Sequence, residues 1–493
     1  MRKLLTVVFA ATVALVVPAL PASAAGIDWS PCSDGQNVEC ATVQLPVDWS
    51  RPDGAKVGIA INRLKAAKPE QRKGALLVNP GGPGGSGLNF VYSASAGNYF
   101  SQSILDSFDL IGFDPRGVGQ SSEIQCDKAV LSQPVQLIPA TEQQYTDLLA
   151  RNGAIAQDCP KHNAGLDSHV DTESVVRDMD GIRAALGEEQ ISFYGVSYGT
   201  QIGQQYAELF GSRLRALVLD SNMDHSVQSE GYLAAANKAF ENSFTDFAAW
   251  CDRTASCALH GQDVLALWDK LYAQASAGKL IDPASGKSLS VEALRDNVFG
   301  NMYHPADQWG YLAGRLASLA GTGAPTASAQ AAAELVGNSY QAIWCSDWRW
   351  PEVSDFASLS KLRENVEALA PHTHFSGFFS DITNCLGWTG PVSNPQHELH
   401  VTQAPPILMT NGLHDVATPY EWATNVAQQL PDTVLLTYDG TGHGDYGNST
   451  CARDAIDTYL LTLARPAQGT HCAAEWPTGT APQTGPHPVT RVY

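Results

Sequence analysis

Basic residues are scarce in this chain. Its 493 residues carry 30 Lys and Arg against 50 Asp and Glu, a formal charge of −20. So acidic a surface repels nucleic acid and anionic membranes, and neither is expected as a partner. Metal-ligand spacing is missing too. The ten cysteines include no CxxC pair, and His397-Glu-Leu-His400 lacks the HExxH spacing and lies in a proline-bearing stretch that reads as a solvated loop. No metal and no organic cofactor is expected. Long apolar runs are absent beyond residues 4–17, which fall short of the ~20 residues needed to span a bilayer.

That short run has a different use. Arg2 and Lys3 precede it, and Pro18 and the small residues Pro21-Ala-Ser-Ala-Ala25 follow it. The order predicts a secretory signal peptide over 1–25, cleaved after Ala24 or Ala25. Losing Arg2 and Lys3 would leave 28 basic residues against 50 acidic, a net charge of −22. The cysteines fit an oxidising compartment. They fall into sequence-near couples, Cys32/Cys40, Cys126/Cys159, Cys251/Cys257, Cys345/Cys385 and Cys451/Cys472. Local pairing is the simplest of many connectivities.

A mature chain of this length exceeds one ordinary core, so a large domain with an insertion, or two domains, is expected. Short β-branched runs occur at 57–64 (VGIAINRL), 75–79 (ALLVN), 108–113 (FDLIGF), 191–196 (ISFYGV) and 214–219 (LRALVL). Their near-continuous apolar character predicts strands buried on both faces, as in a parallel sheet. Residues 171–186 read as an intervening helix, capped by Asp171 or Thr172 and stopped by Gly187. From 224 to 400 the pattern turns helical, at 231–250, 264–275, 291–299 and 359–369. Strands resume at 407–410 (ILMT) and 434–438 (VLLTY). The expected architecture is an α/β sheet at 26–223 and 401–465, interrupted by a helical lid at 224–400 and followed by an extended tail at 466–493.

Gly195-Val-Ser197-Tyr-Gly199 is a weak motif alone, but it joins a predicted strand to a predicted helix at 198–210. On such a turn Ser197 Oγ stands above the sheet with a helix N-terminus behind it, the arrangement of a nucleophile elbow. A hydroxyl nucleophile needs a base, and the base needs an orienting acid. In this architecture they follow the last strands in the order Ser, Asp, His. Asp415 follows the strand at 407–410. His443, between Gly442 and Gly444, follows the strand at 434–438. His414 is a rival base, and Asp439 and Asp445 are acids close to His443; the order of elements favours Asp415 and His443. Oxyanion donors are expected from the N–H of Tyr198 and from the glycine loop Pro80-Gly-Gly82-Pro-Gly-Gly-Ser-Gly87, with Gly82 the candidate. A phosphate cradle is the rival use of that loop, but it lacks the Lys-Ser/Thr of a P-loop. Asp114-Pro-Arg116 reads as a turn braced by its own Asp–Arg pair rather than as a substrate contact.

Together, Asn79-Pro-Gly-Gly-Pro-Gly-Gly-Ser-Gly87, Asp114-Pro-Arg-Gly-Val-Gly, Gly195-Val-Ser-Tyr-Gly and Gly442-His-Gly resemble the secreted bacterial tripeptidyl aminopeptidases. These are relatives of the prolyl iminopeptidases in the α/β-hydrolase superfamily. Pro80 stands where prolyl iminopeptidases have histidine, which fits the tripeptidyl branch better. The resemblance implies an α/β-hydrolase fold with an inserted helical lid. It also implies a serine exopeptidase that releases short peptides, tripeptides foremost, from free N-termini through an acyl-enzyme on Ser197. Such an enzyme must hold the substrate's ammonium, for which a lid acid would serve. Asp347, beside the Cys345/Cys385 couple, is the candidate, with Glu230 and Glu241 behind it; an ordinary surface acid is an equal reading of each. A monomer is expected. An esterase or small-amide hydrolase with the same triad is the alternative, and the intact Ser, Asp and His argue against a non-catalytic binding protein.

Overall fold

The computed structural model describes residues 27–33, 37–97, 99–321 and 335–478. The leader expected at 1–25 and the end of the tail lie outside the described residues. Twelve strands are described: β1 (Ser30–Pro31), β2 (Val38–Pro46), β3 (Lys56–Leu64), β4 (Ala75–Asn79), β5 (Asp109–Phe113), β6 (Gln125–Asp127), β7 (Ile191–Ser197), β8 (Leu214–Asn222), β9 (Leu335–Gly337), β10 (Ile407–His414), β11 (Thr433–Thr441) and β12 (His471–Cys472). Ten of them form one sheet in the order β1-β2-β3-β5-β4-β7-β8-β10-β11-β12.

From β5 to β12 every neighbouring pair is parallel. The apolar runs explain this half of the sheet. Leu76 and Val78 face one packed layer and Leu77 the other, all fully buried, so both faces are covered. The other end departs from the sequence reading. β3 lies antiparallel between β2 and β5, and β2, which no apolar run announced, pairs with it over nine residues. β2 is half exposed along its middle, as an outer antiparallel strand can be.

The helix at Thr172–Leu186 begins where its cap predicts. Asp171 accepts the Ser174 N–H at 2.9 Å, and Gly187 ends the helix in the left-handed region at φ 74°. Arg116 is also structural, but its partner is not Asp114. The buried guanidinium is gripped by Asp178 at 2.6 and 2.7 Å and by the carbonyls of Pro46, Val47 and His169. Asp114 instead accepts from Ser86 Oγ and the Gln120 N–H.

Between β8 and β10 the chain forms helices at Ser229–Arg253, Val264–Ser276, Val291–Gly300, Pro305–Leu319, Ser339–Asp347, Phe356–Glu367 and Phe379–Thr383. The first four build a second core around Phe244, Trp250, Trp268, Trp309 and Leu312, which Val416 and Ala417 of the loop after β10 join. β9, in the same segment, pairs with β6 from the long connection after β5, which the Cys126–Cys159 disulfide closes. All five cysteine couples are disulfides. At each edge of the sheet the outermost strand is two residues long and lies at a disulfide, Cys32–Cys40 beside β1 and Cys451–Cys472 within β12. No helix among the described residues is long and apolar enough to cross a membrane.

Candidate active site

β7 runs straight into the helix Tyr198–Phe210, and Ser197 takes the strained turn between them at φ 60°, ψ −130°. A non-glycine residue holds that conformation only where its surroundings impose it. Here they do. A Cβ on Gly195 would lie 2.4 Å from the Gly199 carbonyl, and one on Gly199 would lie 2.6 Å from the Asn79 carbonyl. Both glycines let the strand, the helix and the end of β4 close around the serine.

The loop after β4 packs on this turn. Gly81 donates its N–H to Asn79 Oδ1 at 2.9 Å and accepts from the Gly85 N–H at 3.0 Å. A Cβ on Gly81 would come within 2.5 Å of the Val196 carbonyl and 2.8 Å of the Tyr198 nitrogen. The loop backbone therefore lies against the Tyr198 N–H, and Gly82 lines the same cavity as Ser197.

Asp415 sits just past β10 with no exposure. Its Oδ1 accepts the N–H groups of Ala417 and Thr418 at 2.8 and 2.9 Å, and its Oδ2 accepts the Thr418 hydroxyl at 2.9 Å. Facing this carboxylate, His443 Nδ1 lies 2.9 and 3.0 Å from its two oxygens. Three contacts fix the histidine loop: the His443 N–H on the Tyr303 carbonyl at 2.8 Å, the Gly444 N–H on Ser221 Oγ at 2.8 Å, and Asn448 Nδ2 on the His443 carbonyl at 3.0 Å. The Tyr303 ring meets the imidazole edge-on at 5.0 Å. The rivals are engaged elsewhere. His414 pairs with Asp246, which raises its pKa, and Asp439 pairs with His471.

Beneath the pair lie two more buried acids. Asp220 accepts from Tyr194, Thr410 and the N–H groups of Asp445 and Tyr446. Thr410 thereby spends its proton on Asp220, and neither carboxyl oxygen of Asp445 has a hydrogen-bond partner. Burial, then the charges of Asp220 and Asp415, push the Asp445 carboxyl well above the usual range.

Ser197, His443 and Gly82 line a cavity of about 390 Å³, closed from the helical segment by Tyr303, His304, Tyr340 and Phe378. No carboxylate lines it among the described residues, and the three acids expected to reach the substrate lie elsewhere. Asp347 is wholly buried beneath the elbow. It accepts from the Thr172 N–H at 2.9 Å, Thr172 Oγ1 at 2.6 Å, Asn394 Nδ2 at 2.8 Å and the Tyr198 hydroxyl. Burial, then the charge of Asp171, push its pKa up to about 7. Glu230 is exposed and accepts from Asn365. Glu241 accepts from Thr373 N–H and Oγ1, tying the helix Ser229–Arg253 to the turn after Phe356–Glu367. Cysteine spacing placed Asp347 near a staple but could not show which way its side chain goes. Thr418 was missed, although an acid followed three residues later by threonine is a turn that closes on its own carboxylate.

A family model described as TAP-like protein matches residues 372–472, which hold Asp415 and His443. Over 483 residues the chain is 31% identical to the tripeptidyl aminopeptidase of Streptomyces coelicolor, covering 93% of this chain and 88% of that one. It is 29% identical over 485 residues to the serine protease Hip1 of Mycobacterium tuberculosis, covering 90% and 91%. A protein named carboxylesterase B from the same species is 31% identical over 494 residues, covering 92% of each. With such likeness along nearly its whole length, and a mostly parallel sheet that carries the elbow and the Asp–His pair at its strand ends, the chain belongs to the tripeptidyl aminopeptidase family of α/β-hydrolase serine hydrolases.

Proposed function

We propose that this enzyme is a secreted serine exopeptidase that removes short peptides, tripeptides foremost, from free N-termini. The observation that carries the reading is the Asp415 carboxylate on His443 Nδ1, with the imidazole and Ser197 lining one cavity. Asp415 fixes the tautomer in which Nε2 is free to accept a proton. As Ser197 Oγ attacks the scissile carbonyl, His443 takes its proton, and Asp415 stabilises the imidazolium that forms. The N–H groups of Tyr198 and Gly82 receive the oxyanion. His443 then protonates the leaving amine, and water, activated by the same histidine, releases the acyl group from Ser197.

The walls of the cavity favour a short peptide. A cavity of about 390 Å³ is small among ligand pockets and suits a short peptide rather than a folded chain. The segment 224–400 acts as the lid that closes it. Five disulfides support function outside the reducing cytosol. One feature favours the second reading, an esterase or small-amide hydrolase: among the described residues the cavity offers no carboxylate for an ammonium, and it is walled by Phe90, Tyr303, Tyr340 and Phe378. A panel of Ala-Ala-Pro arylamides, proline arylamides and short acyl esters separates the two. Hydrolysis of the tripeptide arylamide supports the exopeptidase; hydrolysis of the esters alone ends it. In either case a serine-directed organophosphonate should label Ser197, and label found elsewhere would remove the triad.

A further inference from the structure

A second cavity, of about 370 Å³, adjoins the first. Tyr340 lines both, and at Gly377-Phe378 one residue lines each. Tyr340 is held in this dividing position by its hydroxyl on Asp381 Oδ1 at 2.8 Å. Three cations line the second cavity: Lys128 and Arg151 from the long connection after β5, and Arg295 from the helix Val291–Gly300. Two carboxylates, Glu292 and Asp296, line it as well. In a chain of formal charge −20, this is a concentration of positive charge.

The guanidinium groups are under-used there. Arg295 is 5% exposed, and its one carboxylate contact is the more exposed Asp296 at 3.4 Å. Its Nε is buried with no partner. Arg151 donates to the Leu131 carbonyl at 3.0 Å and more distantly to Asn152 Oδ1, and its Nε too is buried without a partner. Burial alone shifts Arg151, downward, with no carboxylate offsetting it. Arg116 shows how the same side chain is satisfied when its role is structural, donating two bonds to Asp178 and three to carbonyls. A buried guanidinium left short of acceptors is costly, and a planar carboxylate is the acceptor that matches its fork.

We propose that this second cavity is a carboxylate-binding subsite, entered past Tyr340, in which Arg151 and Arg295 hold an anionic group of the substrate. The group is either an Asp or Glu side chain or the peptide's terminal carboxylate. The inference rests on the peptidase reading of the Ser197 cavity.

The full-length chain carrying Ser197→Ala is titrated calorimetrically with tetra-alanine, its C-terminal amide, and amidated tetrapeptides carrying Glu or Gln at each position in turn. Carboxylate-bearing peptides should bind about tenfold more tightly than their neutral partners, the scale of a charge-assisted hydrogen bond. The acid/amide pair and the Glu/Gln pairs tell the two sources apart. Arg151→Gln and Arg295→Gln, each added to Ser197→Ala, should shrink that ratio towards one. Arg151 is the less buried of the two, which guards against a variant that fails to fold, and the comparison among peptides needs no second substitution at all. Equal affinity for acid and neutral peptides, a preference for neutral ones, no binding of any peptide, or a ratio that survives both arginine changes would overturn the proposal. Turnover by the unaltered enzyme reports separately on the parent reading. Peptides that show the carboxylate preference yet are never cleaved would sink the peptidase and leave the subsite standing.

Discussion

The two cavities that meet at Tyr340 are built from opposite kinds of sequence. The one at Ser197 is held by backbone, with glycines at 81, 82, 85 and 444 and strained turns at strand ends, and its lining carries no carboxylate, lysine or arginine among the described residues. The other is lined largely by side chains from helices and by five charged residues. The difference teaches where each kind of selection resides. Bond-breaking requires atoms fixed to within a fraction of an ångström, which a sheet and close-packed turns supply. Discrimination among substrates tolerates looser positioning, and the proposed subsite would draw it from charged side chains on the inserted helices and on the long connection after β5.

The comparison is best broken by substitutions on either side of the divide, and the largest effect belongs to the sheet. Asp415→Asn should lower kcat by about 10⁴-fold with little change in KM, because the imidazole would then lose the partner that fixes its tautomer; steady-state kinetics decide it, and a loss confined to KM would refute the assignment. Gly81→Ala comes next. Its φ of 91° and the carbonyl 2.5 Å from the new methyl group push the loop off the elbow, and kcat should fall by roughly 10²- to 10³-fold, the scale of a lost oxyanion donor. Across the divide, Tyr340→Ala removes the shared wall. It should change KM several-fold and differently for short and long peptides, with kcat within about threefold. A collapse of kcat there would mean that the helices carry chemistry after all.

The smallest effect is on stability. Burial and the charges of Asp220 and Asp415 raise the Asp445 carboxyl well above the range in which an unfolded carboxyl ionises. Across that window the folded state binds more protons, so this residue's contribution to stability declines as pH rises above about 4. Asp445→Asn, whose amide can donate towards Asp220 and Asp415, should flatten the decline and raise Tm at pH 7.5 by about one degree, the shift that ~1 kcal/mol gives in a chain of this size. Thermal melts of both proteins at pH 5 and 7.5 test this; equal slopes would show that Asp445 is ionised in the fold.

Legibility in the sequence follows the same divide. β4, β5, β7, β8, β10 and β11 were readable because strands covered on both faces are apolar almost throughout, and the helix at Thr172–Leu186 announced its own cap and stop. β2 was not, since it is half exposed and draws its order from β3. The places of Ser197, Asp415 and His443 could be read because each follows a strand in a recognisable order. Asp347 could not be placed, because its burial depends on Thr172, Tyr198 and Asn394, residues distant in sequence. Arg151 and Arg295 gave no signal for the same reason: they are 144 residues apart and belong to no motif.

The two-residue strands at the ends of the sheet have a consequence outside catalysis. An open parallel sheet presents bare N–H and C=O groups at its rims, a template on which a neighbouring molecule can add a strand. Here β1 and β12 occupy those rims, each too short to extend a ladder and each at a disulfide, Cys32–Cys40 or Cys451–Cys472. β1 pairs with two residues of β2 and β12 with two of β11, so reduction would loosen these end strands and lengthen the edge of each nine-residue neighbour open to pairing. The same covalent links that suit this chain to an oxidising medium therefore also anchor the short strands that end its sheet.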